Sequence, residues 1–152
     1  AGDTLGYAMR GGEVYVKGDV GYRVGIHMKE YLDKKPVIVI GGKAGDFLGE
    51  YMAGGTIVLL GLSVYNTQKI VGSYCSTGMH GGVIYSRIPI DDYKLGKEVK
   101  QIQADDNDMK SISSYVRKFC SYFGLGYDSI MDRRFVKIYP YNKRPYKNLY
   151  AY

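Results

Sequence analysis

Gly54-Gly55-Thr56-Ile57-Val58-Leu59-Leu60-Gly61 is a short apolar run closed by glycine at both ends. Near-copies stand at Gly11-Gly12-Glu13-Val14-Tyr15-Val16-Lys17-Gly18, at Val37-Ile38-Val39-Ile40-Gly41-Gly42 and at Gly81-Gly82-Val83-Ile84-Tyr85-Ser86. In register, they place Val14, Val37, Ile57 and Ile84 in one column, at intervals of 23, 20 and 27 residues. The next inward column then reads Val16, Val39, Leu59 and Ser86. A unit this short cannot bury its own apolar face, so successive copies must stack on one another.

Each run is about four residues, too short to hide a crossover helix between strands. Val37 and Val39 alternate with Ile38 and Ile40, so both faces of that strand are apolar, as in parallel sheets covered on two sides. Short, repeated, parallel strands without helices predict a parallel β-helix over residues 2–90. A β-sandwich is the main rival, but it would want Asn-Gly or Asp-Gly hairpin turns between the strands.

Glycine supplies 21 of 152 residues, and all but Gly124 and Gly126 precede residue 97. That is about twice ordinary usage, and it lacks the period of collagen. It reads as many tight corners between strands. From Pro89 the texture changes. Asp91 to Gly96 forms a polar connection, and Asp105-Asp106-Asn107-Asp108 supplies acids where a helix would start. Met109, Ile112, Val116, Phe119 and Phe123 follow at helical spacing. One helix is therefore predicted near 106–123, stopped by Gly124, with a shorter turn over Gly126 to Ile130. The chain is read as two regions of one domain: repeats over 1–90, then a helical extension and a basic, tyrosine-rich tail over 91–152.

The net charge of +6 is unevenly spread. After Asp132 come Arg133, Arg134, Lys137, Lys143, Arg144 and Lys147, and no acid. That end could bind single-stranded nucleic acid by stacking and charge neutralisation, but a strap laid over the domain or a partner explains it more simply. On the strap reading, deleting residues 133–152 weakens assembly more than it lowers the melting point. Two cysteines make no disulfide framework, which fits a reducing, cytoplasmic setting. No apolar run approaches the roughly 20 residues of a membrane span. The start at Ala1 reads as a processed or excised piece.

The candidate chemistry is thin. Gly41-Gly42-Lys43-Ala44-Gly45 follows an apolar strand, but Lys43 breaks a dinucleotide fingerprint, while Ala44 and Val37 break a P-loop. It reads as a corner needing positive φ. Cys75 and His80 make half a zinc site with nothing nearby to complete it, and their spacing guarantees no nucleophile–base contact. His27 reads as a strand-edge residue. The pairs Asp91/Asp92 and Asp105/Asp106 read as solvation and capping. No catalytic, cofactor-binding or metal-binding residue is assigned, and no cofactor is expected.

The repeat resembles a known domain. Gly18-Asp19-Val20-Gly21, Gly41 to Gly45 and Tyr51-Met52-Ala53-Gly54 through Gly61 are similar to the glycine-rich repeat domain that closes the large (alpha) subunit of glutamate synthase. The likeness runs over about residues 2–88. Residues 89–152, with the ending Arg144-Pro145-Tyr146-Lys147-Asn148-Leu149-Tyr150, are similar to the stand-alone versions of split glutamate synthases. The resemblance implies a right-handed parallel β-helix that braces amidotransferase and FMN/iron–sulfur synthase partners and contributes no catalytic residue. The function expected is a non-catalytic structural or assembly subunit of a glutamate-synthase-like oxidoreductase in nitrogen metabolism. The alternatives are the analogous subunit of a formylmethanofuran dehydrogenase-type redox complex and, as the weakest class, a nucleic-acid-binding module. A homo-oligomer stays open; a membrane partner does not.

Overall fold

The computed structural model describes residues 2–64 and 70–141. Along the chain lie β1 (Glu13–Val16), β2 (Val37–Ile40), β3 (Ala53–Leu59) and β4 (Gly81–Ser86). A 3-10 turn at Asp92–Lys94 leads to β5 (Val99–Gln103), α1 (Asp106–Phe123), α2 (Tyr127–Ile130) and β6 (Val136–Pro140). All six strands join one sheet in the order β1-β2-β3-β4-β6-β5. The first four run parallel, and β6 and β5 add antiparallel.

This corrects the expected parallel β-helix. The described residues form a single mixed sheet of six strands with a helix on one face. Two features produce the difference. First, the segments returning between the parallel strands place alternate residues at positive φ, so they cannot lay down a second ladder of extended strands. Second, β5 and β6, which lie in the region expected to be a helical extension and tail, pair into the same sheet beyond β4. Val99-Lys100-Gln101-Ile102-Gln103 has only two apolar side chains, three residues apart, and so carries no strand alternation and passes as loop.

The register also departs from the sequence alignment. Val14 pairs with Ile38, Ile38 with Ile57, and Ile57 with Ile84. Leu59 stands between Ile40 and Ser86, where Val39 had been expected. β2 was therefore slipped by one residue, which exchanges the two faces of the strand. All four residues of β2 are apolar, β-branched and buried, so no polar residue marks which side faces which layer.

The sheet separates two cores. On one face Ile38, Ile40, Ile57, Leu59 and Ile84 pack with Val24, Met28, Leu48 and Met52 from the return segments. On the other, Val37, Val39, Val58 and Tyr85 pack with Ile112, Val116 and Phe119 of α1. Each fully buried branched side chain contributes about 1.5–3 kcal/mol from area removed from water. Ser86 is buried in the first core, where its hydroxyl donates to the Ile88 carbonyl and accepts from the Ile88 N–H.

The helix ends are built as their sequence suggests. Asp105 accepts from the Asp108 amide at 2.8 Å, and Asp108 accepts from the Asp105 amide at 3.0 Å, closing a capping box. Gly124 takes the left-handed conformation at the other end, φ 69°. Gly41 lets α1 approach: a side chain there would collide with the Lys17 carbonyl and the Phe119 ring. Gly41, Gly42 and Gly45 do not have positive φ, so close approach, and not the expected corner conformation, requires the first of them.

Candidate functional site

The return segments carry a pattern missed in the sequence. Thr4-Leu5-Gly6-Tyr7-Ala8, Arg23-Val24-Gly25-Ile26-His27, Phe47-Leu48-Gly49-Glu50-Tyr51 and Tyr74-Cys75-Ser76-Thr77-Gly78 adopt one conformation. In each, the first, third and fifth residues have positive φ, for example 57°, 73° and 57° in the second. The second residue turns inward: Val24, Leu48 and Cys75 are buried. The third must be small, since a Cβ on Gly25 would strike Ile57. The available signal was apolar-then-small, repeated four times. It was hidden because Arg, His, Phe and Tyr occupy left-handed positions that usually go to glycine.

Backbone bonds stack these segments. The His27 amide donates to the Glu50 carbonyl at 3.0 Å, and the Tyr51 amide to the Thr77 carbonyl at 2.8 Å. Equivalent residues therefore lie about one ladder spacing apart, roughly 4.8 Å, a distance at which rings can stack. His27 stacks on Tyr51 with centroids 5.3 Å apart, and Tyr7 meets His27 edge-on at 6.1 Å. In the neighbouring column Phe47 stacks on Tyr74 at 5.1 Å, and the Arg23 guanidinium covers Phe47 at 4.8 Å. Tyr7, Tyr51 and Tyr74 are exposed.

Beside the first column lies an open concavity of about 450 Å³, lined chiefly by Tyr7, Arg10, His27, Lys29, Tyr51 and His80. Both histidines of the chain are here. No carboxylate lines it. The Arg10 and Lys29 side chains make no ion pair with any described residue. His27, expected at a strand edge, is instead one of the left-handed turn residues.

The other sequence candidates are not brought together. Cys75 is a core residue, and burial pushes its thiol up to about 11 against a weak opposing contact from Ser76. His80 is exposed, with Nδ1 3.2 Å from the Gly78 carbonyl. Burial also raises the Cys120 thiol, with nearby Arg117 acting the other way. Among the described residues no three His, Cys, Asp or Glu side chains gather as a metal site. Asp105 caps α1, Asp106 pairs with Arg134 at 2.7 Å, and Asp91 makes no side-chain capping bond. Of the basic end, Arg133 and Arg134 pair with acids and Lys137 lies in β6. Lys143, Arg144 and Lys147, with the ending Arg144 to Tyr150, lie outside the described residues. Deleting 133–152 would remove β6 itself, so the deletion would touch the sheet as well as any strap. No described helix is long and apolar enough to cross a membrane.

Together these features define a glycine-marked repeat module, with stacked turns on one side of a mixed sheet and an exposed aromatic and basic face. The chain belongs to the GXGXG motif family, whose model matches residues 1–141 and whose domain is found at the C-terminus of the glutamate synthase alpha subunit. It is 46% identical over 138 residues to an uncharacterized protein of Methanocaldococcus jannaschii, covering 88% of this chain and 53% of that one. It is also 33% identical over 104 residues to the chloroplastic ferredoxin-dependent glutamate synthase of Spinacia oleracea, covering 67% of this chain and 6% of that one. The chain thus spans about half the length of the first relative and a small segment of the second.

Proposed function

We propose that this chain is a non-catalytic structural and assembly element of a glutamate-synthase-like oxidoreductase. The observation that carries the reading is the match to the spinach enzyme, which aligns two thirds of this chain with 6% of a much larger protein. The likeness is to one module of that protein. The arrangement of side chains supports the same view. The buried thiols serve the packing, and the exposed Tyr, Arg and His residues are of the kinds that anchor protein–protein contacts.

On this reading the partners are an amidotransferase chain and an FMN/iron–sulfur synthase chain, in the cytoplasm. The turn face and the sheet edges hold them. Co-expression with chains of those two kinds, followed by affinity capture and size-exclusion chromatography, tests it. A stoichiometric complex that makes glutamate only when this chain is present is the expected result. The chain by itself should neither show a flavin spectrum nor release ammonia from glutamine; either behaviour would overturn the proposal.

A further inference from the structure

We infer that the concavity at Tyr7, Arg10, His27, Lys29, Tyr51 and His80 is a docking groove for an acidic segment of a partner polypeptide. The inference deepens the assembly reading and rests on it. Three observations converge on the groove. Its charged groups are of one sign, with two cations, two imidazoles and no lining carboxylate. The cations are uncommitted, since neither Arg10 nor Lys29 is paired within the described chain. Arg23, Arg87, Lys118, Arg133, Arg134 and Lys137 meet acids, whereas Lys17, Lys97 and Lys110, like Arg10 and Lys29, make no ion pair among the described residues; only in the groove do two such cations share one concavity with both histidines.

The third observation is the backbone. His27 and Tyr51 sit at φ 57° and 54°, a conformation that costs a non-glycine residue about 1–2 kcal/mol. The outer segments fill the equivalent position with Ala8 and Gly78, which carry little or no side chain. Only the two middle segments put large rings there, and those rings wall the groove. The same left-handed conformation recurs at Arg23, Phe47 and Tyr74 outside the groove and belongs to the repeat; the groove differs in that its left-handed rings stand beside unpaired cations.

The open shape, continuous with exposed Tyr7 and Tyr51, suits an extended chain: carboxylates meet Arg10, Lys29 and the imidazoles, and aliphatic stems lie on the rings. The chain's own end does not supply such a ligand, because residues 142–152 contain Lys143, Arg144 and Lys147 and no Asp or Glu.

The test titrates fluorescein-labelled hexaglutamate into the full chain at low and high salt, read by anisotropy. Saturable one-to-one binding that weakens as salt rises is expected. Arg10→Glu/Lys29→Glu should weaken it about tenfold or more, while the same reversal at Lys110, on the helix side, should change it little. His27→Ala, which removes a ring without adding charge, should weaken it less but measurably. Equal losses in the groove and Lys110 variants would mean diffuse attraction and would overturn the inference. So would citrate or inorganic phosphate saturating the groove while hexaglutamate does not, which would mark a small-anion site. Capture of the synthase partners separates the two proposals. Partners retained by the Arg10→Glu/Lys29→Glu variant would sink the groove and leave the assembly role standing. Partners ignored by the wild-type chain would sink the assembly role, even with hexaglutamate bound.

Discussion

The two faces of the sheet are covered in different ways. The turn face is covered by a pattern written four times, in which each segment donates one inward residue and one glycine or serine. The helix face is covered once, by α1 with Phe119 and by Phe135 ahead of β6. It also contains the main buried polar knot. Asp108 accepts from the Tyr85 hydroxyl at 2.8 Å and from the Lys137 ammonium at 3.1 Å, while still closing the capping box. Repetition makes the turn face tolerant in kind, because each layer meets a similar neighbour. The helix face has no second copy to fall back on. A repeat thus specifies one side of this sheet while a unique segment specifies the other.

The largest effect that would test this contrast lies in the turn-side core. Leu59→Asp buries a charge between Ile40 and Ser86 with no partner and should cost about 4 kcal/mol or more. A urea midpoint close to that of the parent would show that this row is not the core. Phe119→Ala should cost about 3–5 kcal/mol. It should also relieve Gly41→Ala in part, because Phe119 is one of the two groups a new Cβ meets there. Strict additivity in that double-mutant cycle would break the link between helix and sheet proposed here.

A smaller effect separates the faces by pH. Burial opposes charge on Asp108, but the Asp105 amide, the Tyr85 hydroxyl and Lys137 outweigh it and hold the carboxyl below its ordinary value. The depressed folded-state value means that the group's stabilisation is complete above its unfolded value of about 4. It is lost as pH falls through the lower folded value. Asp108→Asn should therefore cost about 1–3 kcal/mol at neutral pH, and the gap from wild type should close below pH about 4. A gap that stays constant between pH 7 and pH 3 would remove the charge from this account. Leu59 variants should show no such pH dependence.

The smallest effects belong to the helix ends and the surface. Asp105→Ala removes the cap and should cost about 1 kcal/mol. A thermal melt indistinguishable from wild type would mean that the box is decorative. Lys118→Met breaks an exposed pair with Glu13, 3.1 Å long, and should leave the melt unchanged.

The sequence by itself determined the elements whose signals are local. The four glycine-bounded runs are strands because short β-branched segments between turns have few other options. Asp105, the 3.6-residue stripe and Gly124 delimit a helix without help from the rest of the chain. The glycine-marked repeat was also enough to suggest the family. Tertiary structure alone decided three things. It set the register of β2, because four apolar residues buried on both faces carry no parity mark. It recruited β5 and β6, because their hydrogen-bonding partners lie far away in sequence and their own alternation is faint. And it assembled the groove: Arg10, His27, Tyr51 and His80 come from four different repeats, so no spacing along the chain can show that they share one concavity. Stacking segments at the ladder spacing converts residues some twenty-five apart into neighbours. That conversion is a property of the fold, not of any single stretch.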